Sequence, residues 1–287
     1  MNICFIGGGN MAKALFGGLQ NKNFPQLQIS VVEIDAANRE RLKSAYDNIV
    51  VFAEQNQQAI ANSDVVVLAV KPQNMEAVAI QLGPLLSGQI VLSIAAGIRL
   101  TDLMRWMQVP TSKYRLVRAM PNTPALVGAG ITGLFIYSYP LKEMLTPQHV
   151  KQIETVIETI MGAVGSFVWI RNEEDMDAIT AISGSGPAYF FYFIEALEQA
   201  GKELGLPEQT ARKLALETAF GAAKLAREST DDPATLRARV TSKNGTTERA
   251  LLSMDEKVVG TVKQRIITAA KAAAARSREM GDELGKA

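Results

Sequence analysis

Asn2-Ile3-Cys4-Phe5-Ile6-Gly7-Gly8-Gly9-Asn10-Met11-Ala12 decides how the rest of the chain is read. An apolar run ends in three glycines, and helical spacing follows at once at Met11, Ala14, Leu15 and Leu19. The sequence has the G-x-G-x-x-G/A form, set between a strand and a helix. Gly7 permits a tight turn, Gly9 lets the backbone approach a pyrophosphate, and Ala12 lets the helix pack closely on its strand. The amides at the helix start then face an anion. Ile6, Gly7, Gly8, Gly9, Asn10 and Met11 are therefore candidate cofactor-binding residues. An ordinary glycine turn is the plain alternative, and the strand–helix context argues against it.

The pattern continues outward from that unit. Strands are expected at Gln28–Ile34, Ile49–Phe52, Asp64–Val70, Gln89–Ile94, Leu116–Ala119, Gly133–Tyr137 and Ser166–Ile170. Helices are expected at Arg39–Tyr46, Asn56–Asn62, Met75–Leu86 and Pro147–Met161. Asp64–Val70 is continuously apolar rather than alternating, as a strand buried on both faces reads. Alternation of strand and helix predicts an α/β fold, with a Rossmann-type doubly wound parallel sheet over residues 1–170.

Beyond Arg171 the texture changes to helices alone. They are expected at Glu173–Ile182, Pro187–Gly201, Glu208–Glu228, Pro233–Val240, Thr246–Met254 and Lys257–Met280. Residues 171–287 thus read as an all-helical C-terminal domain. It is rich in alanine and in aromatics (Tyr189, Phe190, Phe191, Tyr192, Phe193). That is more apolar surface than so short a helical segment buries alone, so a homodimer at least is expected.

Composition sets limits. The chain has 287 residues, 47% hydrophobic and 21% charged, with a formal charge of +1. At about 150 residues per domain this makes two domains. The near-neutral charge offers no field for nucleic acid or an anionic membrane. One histidine, His149, and one cysteine, Cys4, allow neither a Cys/His zinc site nor an internal disulfide. The expected metal content is none, and any imidazole acid–base role falls to His149 alone. Cys4 reads as a buried strand residue, and His149 as a solvent-facing position on a helix. The long uncharged stretches Ala77–Ile98 and Ala119–Leu141 are broken by prolines and glycines, so they read as strands and turns rather than membrane spans. With no signal-peptide pattern at the N-terminus, the expected compartment is the cytoplasm.

Ligands of such sheets sit at the carboxyl ends of the strands. Those ends here are Ala69-Val70-Lys71-Pro72, Ala95-Ala96-Gly97 and Met120-Pro121-Asn122-Thr123-Pro124, small residues and prolines that suit a backbone wall against a flat cofactor. The second strand ends Val32-Glu33-Ile34-Asp35. An acid there holds a ribose 2′-hydroxyl and repels a 2′-phosphate, so Glu33 leans towards NAD. Arg39 offers the opposite, a cation for a phosphate; solvated turn residues are a third reading.

Two small polar segments open helices in the second half. Ser183-Gly184-Ser185-Gly186-Pro187 is adequately explained as a cap. Thr241-Ser242-Lys243-Asn244-Gly245-Thr246-Thr247 is longer and denser than a cap requires, and reads as a receptor for a substrate anion at a helix N-terminus.

Val240–Thr247 with Arg249-Ala250-Leu251 resembles the signature of the pyrroline-5-carboxylate reductase family. Ile6–Met11, Ala69–Pro72, Arg118–Pro124 and Ser183–Tyr189 resemble the same family in the same order. The resemblance spans nearly the whole chain. One departure stands out: Lys243-Asn244 replaces a common Pro-Gly, and asparagine tolerates the left-handed turn that glycine would take. The resemblance implies hydride transfer from NAD(P)H to the cyclic imine of 1-pyrroline-5-carboxylate, giving L-proline. NADPH is the implied donor, with NAD also used. It implies that Ser242, Gly245, Thr246 and Thr247 hold the substrate carboxylate, that the catalytic Thr247 hydroxyl lies near the ring nitrogen, and that Asn56 lies near the adenosine ribose. It implies helical domains that intertwine, with the active site formed across the dimer; an assembly of several dimers stays open.

A protonated cyclic imine is already electrophilic, so such an enzyme needs mainly positioning and a carboxylate anchor. The scarcity of His and Cys suits this better than hydroxyacid oxidation, which wants a His or Lys base. Two other readings remain: a hydroxyacid dehydrogenase or other imine reductase on the same architecture, with Lys71 as its best-placed base, and a nucleotide sensor without turnover. The intact hydroxyl loop argues against a sensor.

Overall fold

The computed structural model describes all residues except 23, 25, 109–114, 138–145, 257–259 and 287. Strands β1 (Asn2–Ile6), β2 (Gln28–Val32), β3 (Ile49–Phe52), β4 (Val65–Leu68), β5 (Ile90–Ser93), β6 (Leu116–Met120), β7 (Gly130–Ile136) and β8 (Gly165–Trp169) form one sheet in the order β3-β2-β1-β4-β5-β6-β7-β8. Between them run α1 (Asn10–Asn21), α2 (Ala36–Ala45), α3 (Gln57–Ile60), α4 (Met75–Leu82), α5 (Leu100–Met107) and α6 (Pro147–Gly162). Successive side chains of β1 point to opposite faces. Ile3 and Phe5 pack with Leu15, Phe16 and Leu19 of α1 and with Ile157 of α6. Cys4 and Ile6 pack on the other face with Met75 and Leu82 of α4 and with Leu103 of α5. The doubly wound Rossmann-type sheet expected from the sequence is present.

One strand pair departs from a wholly parallel sheet: β6 and β7 run antiparallel. The connection Pro121–Ala129 holds a single 3-10 turn, Thr123–Val127, which is too short for the crossover a parallel neighbour requires. Helix α5 was not expected at all. Its buried residues Leu100, Leu103, Trp106 and Met107 have helical spacing, but its N-cap, Arg99, makes no side-chain capping bond. The Leu100 amide is instead capped at 2.9 Å by Glu173, far along the chain.

The helical half comprises α7 (Asp175–Ile179), α8 (Gly186–Glu203), α9 (Glu208–Glu228), α10 (Pro233–Arg239), α11 (Thr246–Met254) and α12 (Val262–Leu284). The helix expected over Glu173–Ile182 is α7 followed by one π turn, Thr180–Gly184, closed by Ser185 N donating to Thr180 O at 2.8 Å. The helix expected from Lys257 is described from Val262; residues 257–259 lie outside the described residues. Two compact units result: Met1–Ser185 with Ala273–Ala287, and Gly186–Ala272. The first unit keeps α7 because Met176 is fully buried. It takes back the end of α12, where Ser277 Oγ donates to Asp177 Oδ1 at 2.6 Å. In the second unit Phe190, Phe191, Tyr192 and Phe220 stand 67%, 65%, 72% and 67% exposed, an apolar face that this chain leaves open. Among the described residues no helix is long and apolar enough to cross a membrane.

Cys4 is completely buried in β1, and that burial pushes its thiol up to about 11. In the unfolded chain a cysteine ionises near about 8.5. As pH rises the unfolded state therefore loses its proton first, and stability present below that value is lost towards pH 11. Urea denaturation at pH 8 and pH 10 checks this. The wild type is expected to lose on the order of 2 kcal/mol more than Cys4→Ala over that interval; equal losses would exclude the thiol as the cause.

Candidate active site: a glycine cradle and an anion-receiving loop

In the first unit the carboxyl ends of the parallel strands are level. Val32 pairs with Ile6, Ile6 with Leu68, Leu68 with Ser93 and Ser93 with Arg118. The next residues on each strand, Glu33, Gly7, Ala69, Ile94 and Ala119, therefore share one edge. Five separate sequence segments meet there.

Gly7 turns the chain at φ +102°, and its amide donates to Val32 O at 2.8 Å. A Cβ at Gly7 would lie 2.8 Å from the Ala69 carbonyl oxygen, and one at Gly8 only 2.6 Å from Leu42 Cδ1. At Gly9 a Cβ would meet nothing within 4 Å. The loop is thus packed below and open above. Gly9 is also the N-cap of α1, with no side-chain cap and no acid in the first turn. The free amides and the positive end of a twelve-residue helix face that open space. Such a cradle suits a pyrophosphate, so the residues present fit a dinucleotide.

Glu33 lies against this cradle. Its Oε2 accepts from Gly8 N at 3.1 Å and from Asn38 Nδ2 at 2.7 Å, and its Oε1 accepts from Asp35 N at 2.9 Å. Asn38 had no sequence signal; only the fold brings it to the glycine loop. Asn56, expected near the ribose, is the N-cap of α3, and its Oδ1 accepts from Ala59 N at 2.9 Å. Ala69 and Val70 are half-buried beside Gly7, while Lys71 is exposed and precedes a 3-10 turn at Pro72–Asn74. Ala95 and Gly97 are buried and Ala96 is half-buried. Asn122 is buried, and both ends of its amide bind backbone: Nδ2 donates to Ser183 O and Oδ1 accepts from Ile131 N, each at 3.0 Å. Its place is at the edge, but its side chain ties the π turn to β7.

His149 lies elsewhere. It lines a cavity of about 380 Å³ with Asp64, Gln89 and Arg115. Asp64 exchanges backbone bonds with Asn2 and Ile90, at the amino ends of the strands. No histidine therefore reaches the carboxyl edge. Among the described residues no three His, Cys, Asp or Glu gather to hold a metal.

The second unit carries the hydroxyl loop. Asn244 takes φ +62°, the left-handed conformation that a glycine would adopt there. Its amide donates to Glu248 Oε2 at 2.7 Å, and Gly245 N donates to Ser242 O at 3.0 Å. A Cβ at Gly245 would lie 2.5 Å from Ser242 Oγ. Gly245 is the N-cap of α11 and makes no side-chain cap, so the Thr246 and Thr247 amides have no intrahelical carbonyl to meet. Ser242, Lys243 and Thr246 are exposed and Thr247 is half-buried. Backbone amides and hydroxyls thus cluster at a helix N-terminus, chemistry that suits a carboxylate, with one loop amide already taken by Glu248.

Comparison with known proteins agrees with both halves. Residues 173–280 match a family model described as pyrroline-5-carboxylate reductase dimerisation, and residues 2–97 match one described as NADP oxidoreductase coenzyme F420-dependent. The pyrroline-5-carboxylate reductase of Pseudomonas aeruginosa is 42% identical over 285 residues, covering 99% of this chain and 98% of that protein. The chain belongs to the pyrroline-5-carboxylate reductase family. A solved pyrroline-5-carboxylate reductase from Coxiella burnetii superposes with a TM-score of 0.85 at 36% identity, covering 97% of this chain and 98% of that one. The Plasmodium falciparum pyrroline carboxylate reductase, solved with NADP bound, gives 0.80 at 27% identity, covering 98% of each chain.

The glycine geometry yields a paired test. Gly7→Ala combines a left-handed φ with a backbone clash, so it is expected to cost about 1–3 kcal/mol of stability. Gly9→Ala meets no protein atom and should cost less than Gly7→Ala, only the small loss of a poorer N-cap, yet it intrudes on the open cradle and should weaken dinucleotide binding. Thermal melts and a fluorescence titration with NADPH read the two effects separately. Equal melting losses, or unchanged affinity in Gly9→Ala, would contradict the assignment of the cradle.

Proposed function

We propose that this chain reduces the cyclic imine of 1-pyrroline-5-carboxylate to L-proline, the last step of proline biosynthesis, as an NAD(P)H-dependent oxidoreductase. The observation that carries this is the near full-length match to pyrroline-5-carboxylate reductases, on a chain that holds both a glycine cradle and a carboxylate-type loop. A nicotinamide cofactor, when bound, supplies the hydride. The main chain from Gly7 to Met11 receives the pyrophosphate, with Ile6 beneath it. Ala69–Pro72, Ala95–Gly97 and the backbone at Asn122 wall the cofactor, and Glu33 and Asn56 attend the adenosine end. Ser242, Gly245, Thr246 and Thr247 hold the substrate carboxylate through amides and hydroxyls.

No side-chain base is required. The imine nitrogen is itself basic, and once protonated it makes the neighbouring carbon electrophilic. Thr247 acts by orienting that nitrogen or relaying a proton to it through its hydroxyl. This accounts for a site edge without histidine, where a hydroxyacid dehydrogenase would place its base.

The reading extends to organisation. Residues 1–170 form the dinucleotide-binding domain and residues 171–287 the helical substrate-binding and dimerisation domain. The active site is completed across a dimer, and the exposed Phe190, Phe191 and Tyr192 support a partner chain. Dimers assemble further only if additional faces pair, which sedimentation would resolve. The enzyme works in the cytoplasm.

A spectrophotometric assay with pyrroline-5-carboxylate and each reduced cofactor tests the activity. Absence of nicotinamide oxidation with both would sink it, and turnover of a 2-hydroxy acid with oxidised cofactor would favour the dehydrogenase reading. Thr247→Ala is expected to lower kcat by about tenfold to a hundredfold, the worth of one hydrogen bond to a charged group. Its NADPH affinity should change far less. Wild-type turnover in that variant would remove Thr247 from the mechanism.

A further inference from the structure

The turn after β2 is built around one carboxylate. Glu33 takes three donors, the amides of Gly8 and Asp35 and the side-chain Nδ2 of Asn38, and all three are neutral. Asn38 Nδ2 also donates to Gly8 O at 3.1 Å, so Glu33 and Asn38 together clamp the second glycine of the cradle. Among the described residues Glu33 makes no ion pair. Two cations stand close, and each is tied to a neutral acceptor. Lys13 Nζ donates to Asn38 Oδ1 at 3.1 Å. Arg39 Nη1 donates to the carbonyls of Glu33 at 2.9 Å and Ile34 at 2.7 Å. A second acid, Asp35, caps α2 on the same turn by accepting from Asn38 N at 2.6 Å.

A carboxylate only accepts, and it offers about four lone-pair sites. Three are taken here, and the one left on Oε1 asks for a hydroxyl donor. A phosphate at the same place brings only acceptors and negative charge, and it would meet Glu33 and Asp35 side by side. An acid at the end of the second strand of such a sheet lies where the adenosine ribose is read.

We propose that Glu33, held by Gly8, Asp35 and Asn38, is a specificity-determining residue that accepts from the free 2′-hydroxyl of the adenosine ribose and ranks NADH above NADPH in this chain. The proposal rests on the reading of the glycine cradle as a dinucleotide site. It concerns the ranking of two cofactors that both enter, and Arg39 is the residue that opposes it.

Binding to the cofactor-free protein tests this without turnover. NADH and NADPH are titrated by nicotinamide fluorescence. Calorimetry with 5′-AMP and adenosine 2′,5′-bisphosphate then isolates the ribose end. The wild type is expected to bind NADH about tenfold more tightly than NADPH, with the same order for the two adenosine probes. The gap should narrow at high salt, because it is a repulsion between charges at a partly open site. Glu33→Gln keeps the shape and removes the charge, and should bring the two cofactors within about threefold, chiefly by improving NADPH. Should that variant fold poorly, the wild-type ratios with all four probes still decide. Equal affinities in the wild type, or a preference for NADPH that Arg39→Ala abolishes, would overturn the proposal. No binding of any of the four would overturn the dinucleotide reading and the proposal with it.

Discussion

The approach of β1 to β4 at the sheet's switch point constrains everything built above it. Gly7 leaves β1 with its α-carbon so near the Ala69 carbonyl that no side chain fits between them. To the β3 side of that point the strands run β1, β2, β3, and to the other side β4, β5, β6. A crevice opens wherever the winding reverses in this way. Because the two strands meet closely, the backbone at Gly8 and Gly9 can turn outward, α1 can start directly over the crevice, and its uncapped amides can face whatever lies there. The apolar face of α1, with Leu15, Phe16 and Leu19 fully buried, fixes the helix so that these amides do not drift. The cradle is thus a consequence of core packing several residues away.

What could be read in the sequence was what local chemistry writes down. The glycines of the first turn, the continuous apolar run of β4, the hydroxyl loop before α11 and the unfinished apolar face of α8 each carry their cause within a few residues. Glu208–Glu228 and Thr246–Met254 have the bounds expected of them, because Pro207 and Gly245 punctuate them locally. The elements that escaped depend on distant partners. Helix α5 has no local start signal because its first amide is satisfied by Glu173. The direction of β7 follows from the length of a connection rather than from its composition. Asn38 looks like any polar residue at a helix start until β1 and β2 pair and bring Gly8 within its reach. The π turn at Thr180–Gly184 reads as cap residues until Asn122 is seen to hold its Ser183 carbonyl.

The same distinction separates the two kinds of site residue. Gly7, Gly9, Gly245, Thr246 and Thr247 offer backbone amides and small side chains, and the role proposed for them is nearly legible in their sequence pattern. Asn56 and Asn122 present polar side chains whose acceptor atoms the fold already uses. The chemistry proposed for this chain, with amides, hydroxyls and the substrate's own basic nitrogen, has little use for imidazole or thiol. That agrees with Cys4 sealed in β1 and His149 stationed at the amino ends of the strands.

Rigidity at the carboxyl edge also has a source outside the motifs. Arg118 Nη1 meets Glu173 Oε1 at 2.9 Å, with the two side chains only 5% and 14% exposed. The same oxygen accepts from the first amide of α5 at 2.9 Å. One carboxylate therefore joins the middle of β6 to the start of α5, and only Ile98 and Arg99 separate α5 from Ala95-Ala96-Gly97. A buried pair of this kind adds little net stability against an apolar replacement, but removing one partner alone strands a charge and is costly. Gly97 is pressed from the other side, since a Cβ there would touch Met280 and Leu284 of α12 at 3.4 Å. The wall beside the cradle is thus fixed between an ion pair and the last helix. That arrangement gives Arg118, the first residue of the Arg118–Pro124 motif, a positioning role in which it need not touch any ligand.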